Sequence, residues 1–248
     1  MNQKNVIFLL ISATLNILFL LTIALFFAQP GSVDNLSKKT SSILNSKSQA
    51  FQIPHNAYYS HRLTQLKILP KSQNEIIFLG DSITDECEWA ELLENPNIKN
   101  RGISGDTINL MVKRLNEILE SEPKQIFLMV GINDFFQNDK SAQELAEDYK
   151  KILTQIKHKS PNTQVFIQSV LPVNKTKYKI KVDNGNIVKL NFYLKELAQE
   201  FSWQYIDLFY HLSDSKNQLD SSYTLDGLHL NGQGYLVWKQ VIEKYIVK

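Results

Sequence analysis

Glu75-Ile-Ile-Phe-Leu-Gly-Asp-Ser82 carries the reading of the fold. Four consecutive large apolar residues end at a glycine, with two small polar residues behind it. A short apolar run closed by a turn residue is the mark of a strand buried on both faces. The same pattern recurs at Gln125–Val130 (QIFLMV, ending at Gly131), at Gln164–Val170 and at Gln204–Leu208, with a weaker candidate at Ile98–Arg101. Helical spacings fall between them. Ile108, Met111, Leu115 and Ile118 share one face, and so do Leu145, Tyr149, Ile152 and Ile156 behind a Ser141-x-x-Glu144 capping box. Ile187, Leu190, Leu194, Leu197 and Phe201 form a third stripe; Tyr235, Trp238, Val241 or Ile242, and Tyr245 form a fourth. Strands alternating with helices predict an α/β fold, a three-layer sandwich around a mostly parallel five-stranded sheet. In such sheets ligands bind beyond the carboxyl ends of the strands. That singles out Gly80-Asp81-Ser82, Gly102 and Gly131-Ile132-Asn133-Asp134.

The chain has 248 residues, 43% hydrophobic and 21% charged, with 9 Gly and 7 Pro, which excludes a collagen-like or wholly disordered chain. A net charge of +2 gives no basic excess of the kind nucleic-acid binders carry. A single cysteine, Cys87, excludes an internal disulfide or a multi-thiolate zinc site. Cys87 has no flanking base and reads as packing.

Charge is absent between Lys4 and Asp34. Val6–Ala28, 23 mostly apolar residues, would reach roughly 35 Å as a helix, enough to cross a hydrocarbon core of about 30 Å. Pro30 and Gly31 would stop it. Residues 1–28 are expected to form an uncleaved transmembrane signal-anchor. A cleaved signal peptide fits less well, because its apolar stretch is shorter and cleavage after Ala28 would leave bulky Phe26 at the minus-three position. Residues 29–50 read as a polar linker and residues 51–248 as the folded domain. Flanking charges do not decide orientation; the short N-terminal flank favours a single-pass protein with that domain outside the cytoplasm.

A serine hydroxyl is a weak nucleophile until a base accepts its proton. Asp226-Gly-Leu-His229 offers a base with its orienter: one turn can bring the carboxylate to one imidazole nitrogen while the other faces Ser82. Ester hydrolysis also needs donors for the oxyanion. The candidates are the Asn133 amide, the unshielded N–H of Gly102 and the N–H of Ser82 at a helix start. Glu86, Trp89 and Phe135 are candidates for the cleft mouth or for the core. The Gly-x-Ser-x-Gly elbow, the phosphate-binding P-loop and His-Glu-x-x-His are all absent from the sequence. A metallophosphatase would need more histidine ligands than His229 and the scattered His55, His61, His158 and His211 supply.

The sequence resembles the SGNH subgroup of the GDSL esterase/lipase family in four blocks. These are Ile77–Thr84 (IFLGDSIT), Asn100–Asp106 (NRGISGD), Val130–Asp134 (VGIND) and Asp226–Asn231 (DGLHLN). The resemblance covers about residues 55–245 and is nearest to platelet-activating-factor acetylhydrolase-like and bacterial carbohydrate acetylesterase members. It implies a flavodoxin-like sandwich, with Ser82, Gly102, Asn133 and His229 as functional residues and Asp226 as the triad acid. The expected activity is hydrolysis of short-acyl, chiefly acetyl, esters of a carbohydrate or lipid through an acyl-serine, with no metal or organic cofactor. Rival readings are an O-acyltransferase on the same triad, a lysophospholipase or thioesterase, and a membrane-tethered binding module with a vestigial site. The expected partners are an ester substrate and, through the N-terminal helix, a membrane; no nucleic acid is expected.

Overall fold

A computed structural model describes residues 55–137 and 140–247. The anchor expected at 1–28 and the linker at 29–50 lie outside the described residues, as does the start of the domain expected from residue 51. No described helix is long and apolar enough to cross a membrane. The described unit begins at His55.

Five strands, β1 (Ile76–Gly80), β2 (Ile98–Gly102), β3 (Gln125–Met129), β4 (Gln164–Gln168) and β5 (Gln204–Ile206), form one sheet in the order β2-β1-β3-β4-β5. Every pairing is parallel. The strand order reverses between β1 and β3, the switch point where such sheets open a crevice. β5 is shorter than the Gln204–Leu208 run suggests, because Asp207 accepts the N–H of Tyr210 and starts the short helix α8 (Leu208–Leu212). Its cap, rather than its apolar content, decides where the strand stops.

Strand periodicity sorts the core into two faces. Phe78, Phe127 and Phe166 are register partners and stack in a row, with centroids 4.9 and 4.6 Å apart. Trp89 of the short helix α3 (Trp89–Leu92) stacks on Phe78 at 4.4 Å, and Trp238 of α9 (Gly232–Ile242) meets Trp89 edge-on at 4.8 Å. Trp89 therefore belongs to the core and not to a cleft mouth. On the other side α6 (Ala142–Lys159) packs between α4 (Ile108–Leu119) and α7 (Asn184–Glu200). The residues expected to face inward on α4 and α6 are buried, and the Ser141–Glu144 capping box closes reciprocally. Phe201, expected to extend the α7 stripe, is only partly buried because the helix ends before it.

Helix α1 (His55–Ile68) has no apolar stripe and was not legible as a helix. It is held mostly by polar contacts. Tyr58 Oη donates to Asp85 Oδ2 at 2.5 Å, Arg62 pairs with Asp85 Oδ1 at 3.2 Å, and Lys67 pairs with Glu117 of α4 at 3.0 Å.

Candidate active site

Ser82 opens helix α2 (Ser82–Asp85), directly beyond β1. Asp81 caps that turn: its Oδ1 accepts the N–H of Ile83 at 3.1 Å, and its carbonyl accepts from Asp85 at 2.9 Å. Gly80 leaves room for the bend, since a Cβ there would lie 2.0 Å from Thr84 Oγ1. The chain thus turns sharply off the sheet and leaves Ser82 at its carboxyl edge, 7% exposed.

Ser82 Oγ lies 3.0 Å from Nε2 of His229, and His229 Nδ1 lies 2.7 Å from Asp226 Oδ2. The order of contacts is the one expected from Asp-x-x-His. Asp226 Oδ1 meanwhile accepts the backbone N–H groups of Leu228 (2.9 Å) and His229 (2.8 Å). One carboxylate therefore folds its own loop with one oxygen and addresses the imidazole with the other. Thr224 Oγ1 accepts from Gly227 N at 2.8 Å and closes the turn, and Gly227 takes φ +85°, the left-handed region that glycine tolerates. Burial pushes the Asp226 carboxyl up. The His229 ring and the two backbone N–H donors outweigh it and hold the group down at about 2. Glu86, on the chain just beyond α2, is exposed and sits 3.9 Å from His229 Nε2.

Asn133 lies in α5 (Ile132–Gln137) beyond β3, after Gly131 at φ +134°. Its Nδ2 donates to Asp106 O at 2.9 Å. That fixes the amide and leaves its second N–H to donate elsewhere.

Gly102 differs from the sequence expectation. Its N–H is not free: it donates to Asn100 Oδ1 at 2.8 Å. What the missing side chain admits is backbone, because a Cβ at 102 would lie 2.4 Å from Asp85 N and 2.7 Å from Asp85 Cα. Asn100 Nδ2 in turn donates to the carbonyls of Thr84, Asp85 and Cys87 at 2.9–3.0 Å. Asn100 and Gly102 together seat the turn bearing Ser82 against β2.

Three buried carboxyls lie beneath. Burial raises Asp81 to about 7 against the opposing Ile83 N–H, and raises Asp134 to about 6 although Ile108 N–H donates to it. Burial also raises Asp106, opposed by Arg114, whose Nη2 lies 2.7 Å from Asp106 Oδ2 and donates to Gly80 O at 3.2 Å.

Of the residues singled out from the sequence, Ser82, His229 and Asp226 lie in contact and Asn133 stands beyond β3; the supports Asn100, Asp85, Thr224, Arg114 and Tyr58 were not singled out. Asn100, Asp85 and Thr224 lie in or beside the motif blocks, and a reading of their amide, carboxylate and hydroxyl valences could have flagged them. Tyr58 and Arg62 carry no sequence signal.

The model of the GDSL-like Lipase/Acylhydrolase family matches residues 78–237, which begin within β1 and the first block and take in the other four strands and three blocks whole. Over 177 residues the chain is 29% identical to an N-acylneuraminate cytidylyltransferase of Escherichia coli O18:K1:H7, covering 71% of this chain and 41% of that protein. It is 29% identical over 119 residues to a platelet-activating factor acetylhydrolase IB subunit beta homolog of Drosophila melanogaster, covering 46% of this chain and 52% of that one. The chain thus spans about half, or less, of the curated relatives it matches. A solved structure described as a platelet activating factor from Streptococcus pneumonia superposes with TM-score 0.71 at 27% identity, covering 81% of this chain and 98% of that one. With the family match running from β1 into α9, the chain belongs to the GDSL-like lipase/acylhydrolase family.

Proposed function

We propose that the protein hydrolyses short-acyl esters, acetyl above all, of a carbohydrate or lipid alcohol through an acyl-Ser82 intermediate. The reading rests on the relay Ser82 Oγ, His229 Nε2, His229 Nδ1, Asp226 Oδ2, with steps of 3.0 and 2.7 Å. In the first half-reaction Ser82 Oγ bonds to the ester carbonyl carbon and its proton passes to Nε2. Asp226, ionised down to about pH 2, keeps the Nδ1 proton in place and stabilises the imidazolium that forms. The carbonyl π-electrons move to oxygen. The Ser82 N–H, first in its turn and without an intrahelical acceptor, and the second N–H of Asn133 receive that charge. Collapse of the intermediate breaks the bond to the alcohol oxygen, which takes the proton from His229. Water then repeats the sequence on the acyl-serine and restores the free enzyme. Gly102 N–H joins the donors only by sharing itself with Asn100 Oδ1. The near-complete burial of Ser82 favours a small acyl group.

The test is covalent and kinetic. A fluorophosphonate should label Ser82 and nothing else in the chain, and p-nitrophenyl esters should be cleaved fastest at two to four carbons. Labelling at another residue, or a maximum at long chains, would overturn the serine or the short-acyl reading respectively.

We also propose that residues 1–28 anchor the chain, with the catalytic domain outside the cytoplasm. Support comes from the 23 uncharged residues at Val6–Ala28 followed by a polar stretch. The protein should resist carbonate extraction, yield to detergent, and be cut by protease added to intact cells. A released form beginning near Gln29 would replace the anchor with a cleaved signal.

A further inference from the structure

The loop from Leu171 to Asp183 leaves the carboxyl end of β4 and leads into α7. It carries Lys175, Lys177, Lys179 and Lys181, all exposed, against one carboxylate, Asp183. The whole chain carries only +2, so positive charge is concentrated here. The loop is also fastened to the segment that bears Asp226. Asn174 N donates to Gly227 O at 2.8 Å, and Asn174 Nδ2 donates to Leu219 O at 2.7 Å. The Tyr178 ring lies over Gly227 so closely that a Cβ there would come within 2.5 Å of it. Lys177 Nζ stands 5.5 Å from the centre of that ring. Asn184 clamps the far end, accepting from Val173 N at 2.9 Å and donating to Val173 O at 2.8 Å. Ile180 packs on the core and Val182 is buried, which turns Lys179 and Lys181 outward. Lys175 pairs with Asp183 at 3.2 Å; among the described residues no carboxylate pairs with the other three lysines.

Ammonium groups clustered on a loop that packs against the Asp226 turn raise the local concentration of anionic ligands. Two observations narrow the ligand. Glu86, 3.9 Å from His229 Nε2, repels negative charge at the scissile ester itself, so the anionic groups must lie some way along the substrate. Leu225, 82% exposed, is the one large apolar side chain exposed on the Asp226 loop among the described residues, too little to bury in a lipid surface. Building on the ester-hydrolase reading, we propose that the lysine loop is a substrate-recruiting subsite for an O-acylated polyanionic glycan. Carboxylate or phosphate groups flanking the esterified sugar contact Lys177, Lys179 and Lys181 while the acyl group reaches Ser82.

Two readouts on the full chain in detergent test this, one of them independent of turnover. The first is binding of alginate, a carboxylated polymer, to Ser82→Ala. It should weaken about two- to fivefold for each of Lys177, Lys179 and Lys181 changed to Ala, and weaken as salt rises from about 50 to 500 mM. The second is selectivity: the ratio of kcat/KM on O-acetylated alginate to that on p-nitrophenyl acetate. It should fall at least tenfold in the triple variant and stay at the wild-type value in Lys113→Ala, a surface lysine on α4. Equal alginate binding by Ser82→Ala with and without the three lysines would overturn the subsite. So would a wild-type preference for O-acetylated xylan, which is uncharged. Loss of binding to phosphatidylglycerol vesicles, with alginate binding unmoved, would replace the glycan by a membrane. A wild type that binds alginate through the lysines yet cleaves neither ester would leave the subsite standing and refute the ester-hydrolase mechanism instead.

Discussion

Gly102→Ala separates two jobs that one glycine could hold. An alanine keeps the backbone N–H, so a residue needed only as an oxyanion donor should tolerate the change. The structure assigns the missing side chain a different purpose. The new Cβ would sit 2.4 Å from Asp85 N, 2.7 Å from Asp85 Cα and 2.9 Å from Asp81 O. Comfortable heavy-atom contacts begin near ~3.5 Å, so β2 and α2 must part by about 1 Å. Such overpacking costs typically ~1–3 kcal/mol, a fall of roughly 2–12 °C in melting temperature for a domain of this size. The functional cost is expected to be larger than the stability cost. Asp81 and Asp85 bracket Ser82, so the displaced turn carries the nucleophile away from His229 Nε2, now 3.0 Å off. A misplacement of about 1 Å can cost on the order of 10²-fold in rate. Steady-state hydrolysis of p-nitrophenyl acetate, the rate of fluorophosphonate labelling and thermal unfolding would all be measured on the same preparation. The expectation is kcat and labelling both down about a hundredfold in a protein that still melts cooperatively. Wild-type kcat and wild-type melting temperature together would refute the steric argument and leave Gly102 as a donor alone.

Ser82→Ala and His229→Ala should each nearly abolish turnover, and the double variant should be little worse than either, because nucleophile and base act as a unit; additive losses in kcat would show that they do not. Asn133→Ala should keep fluorophosphonate reactivity in part and lose about 10²–10³ in kcat with little change in KM, whereas a loss confined to KM would remove Asn133 from the oxyanion site. Asp81 binds its proton more tightly in the folded chain, at about 7 against an ordinary 3.8. Its stabilising contribution is therefore complete below about pH 4 and is lost as pH rises through 7. Asp81→Asn, which keeps a side-chain acceptor for Ile83 N–H, should melt progressively higher relative to wild type from about pH 4 to 8, and a constant difference would refute the buried-carboxyl argument.

Local chemistry made the fold legible. Runs such as Ile76–Leu79 and Gln125–Met129 are apolar throughout because both faces of a parallel strand are covered, and that signal survives without knowledge of neighbours. The capping box at Ser141–Glu144 and the inward stripes of α4 and α6 are likewise matters of a few adjacent residues, and so their positions could be read. The proposed triad was legible for a related reason. Nucleophile, base and acid are defined by functional groups, and Asp226 reaches His229 within a single turn.

Other features depend on groups brought together from afar, and no local pattern encodes them. Strand β5 ends at a cap that competes with its apolar run. Helix α1 has no apolar face, so periodicity could not find it; Tyr58 and Arg62 show their use only where Asp85 meets them. Gly102 was identified by its motif and given the wrong emphasis. Its N–H is claimed by Asn100, two residues back on the same strand, and its vacant Cβ position by Asp85, a contact that exists only once β1 and β2 are paired. Strand–helix alternation and the residue types offered at each strand end can be read from the chain alone, because each is written in side chains one to four positions apart. The tertiary structure alone decided which backbone N–H groups are free, which carboxyls are buried, and that the lysine loop lies against the Asp226 turn, because hydrogen-bond occupancy, desolvation and proximity are properties of packed pairs and not of positions in a chain.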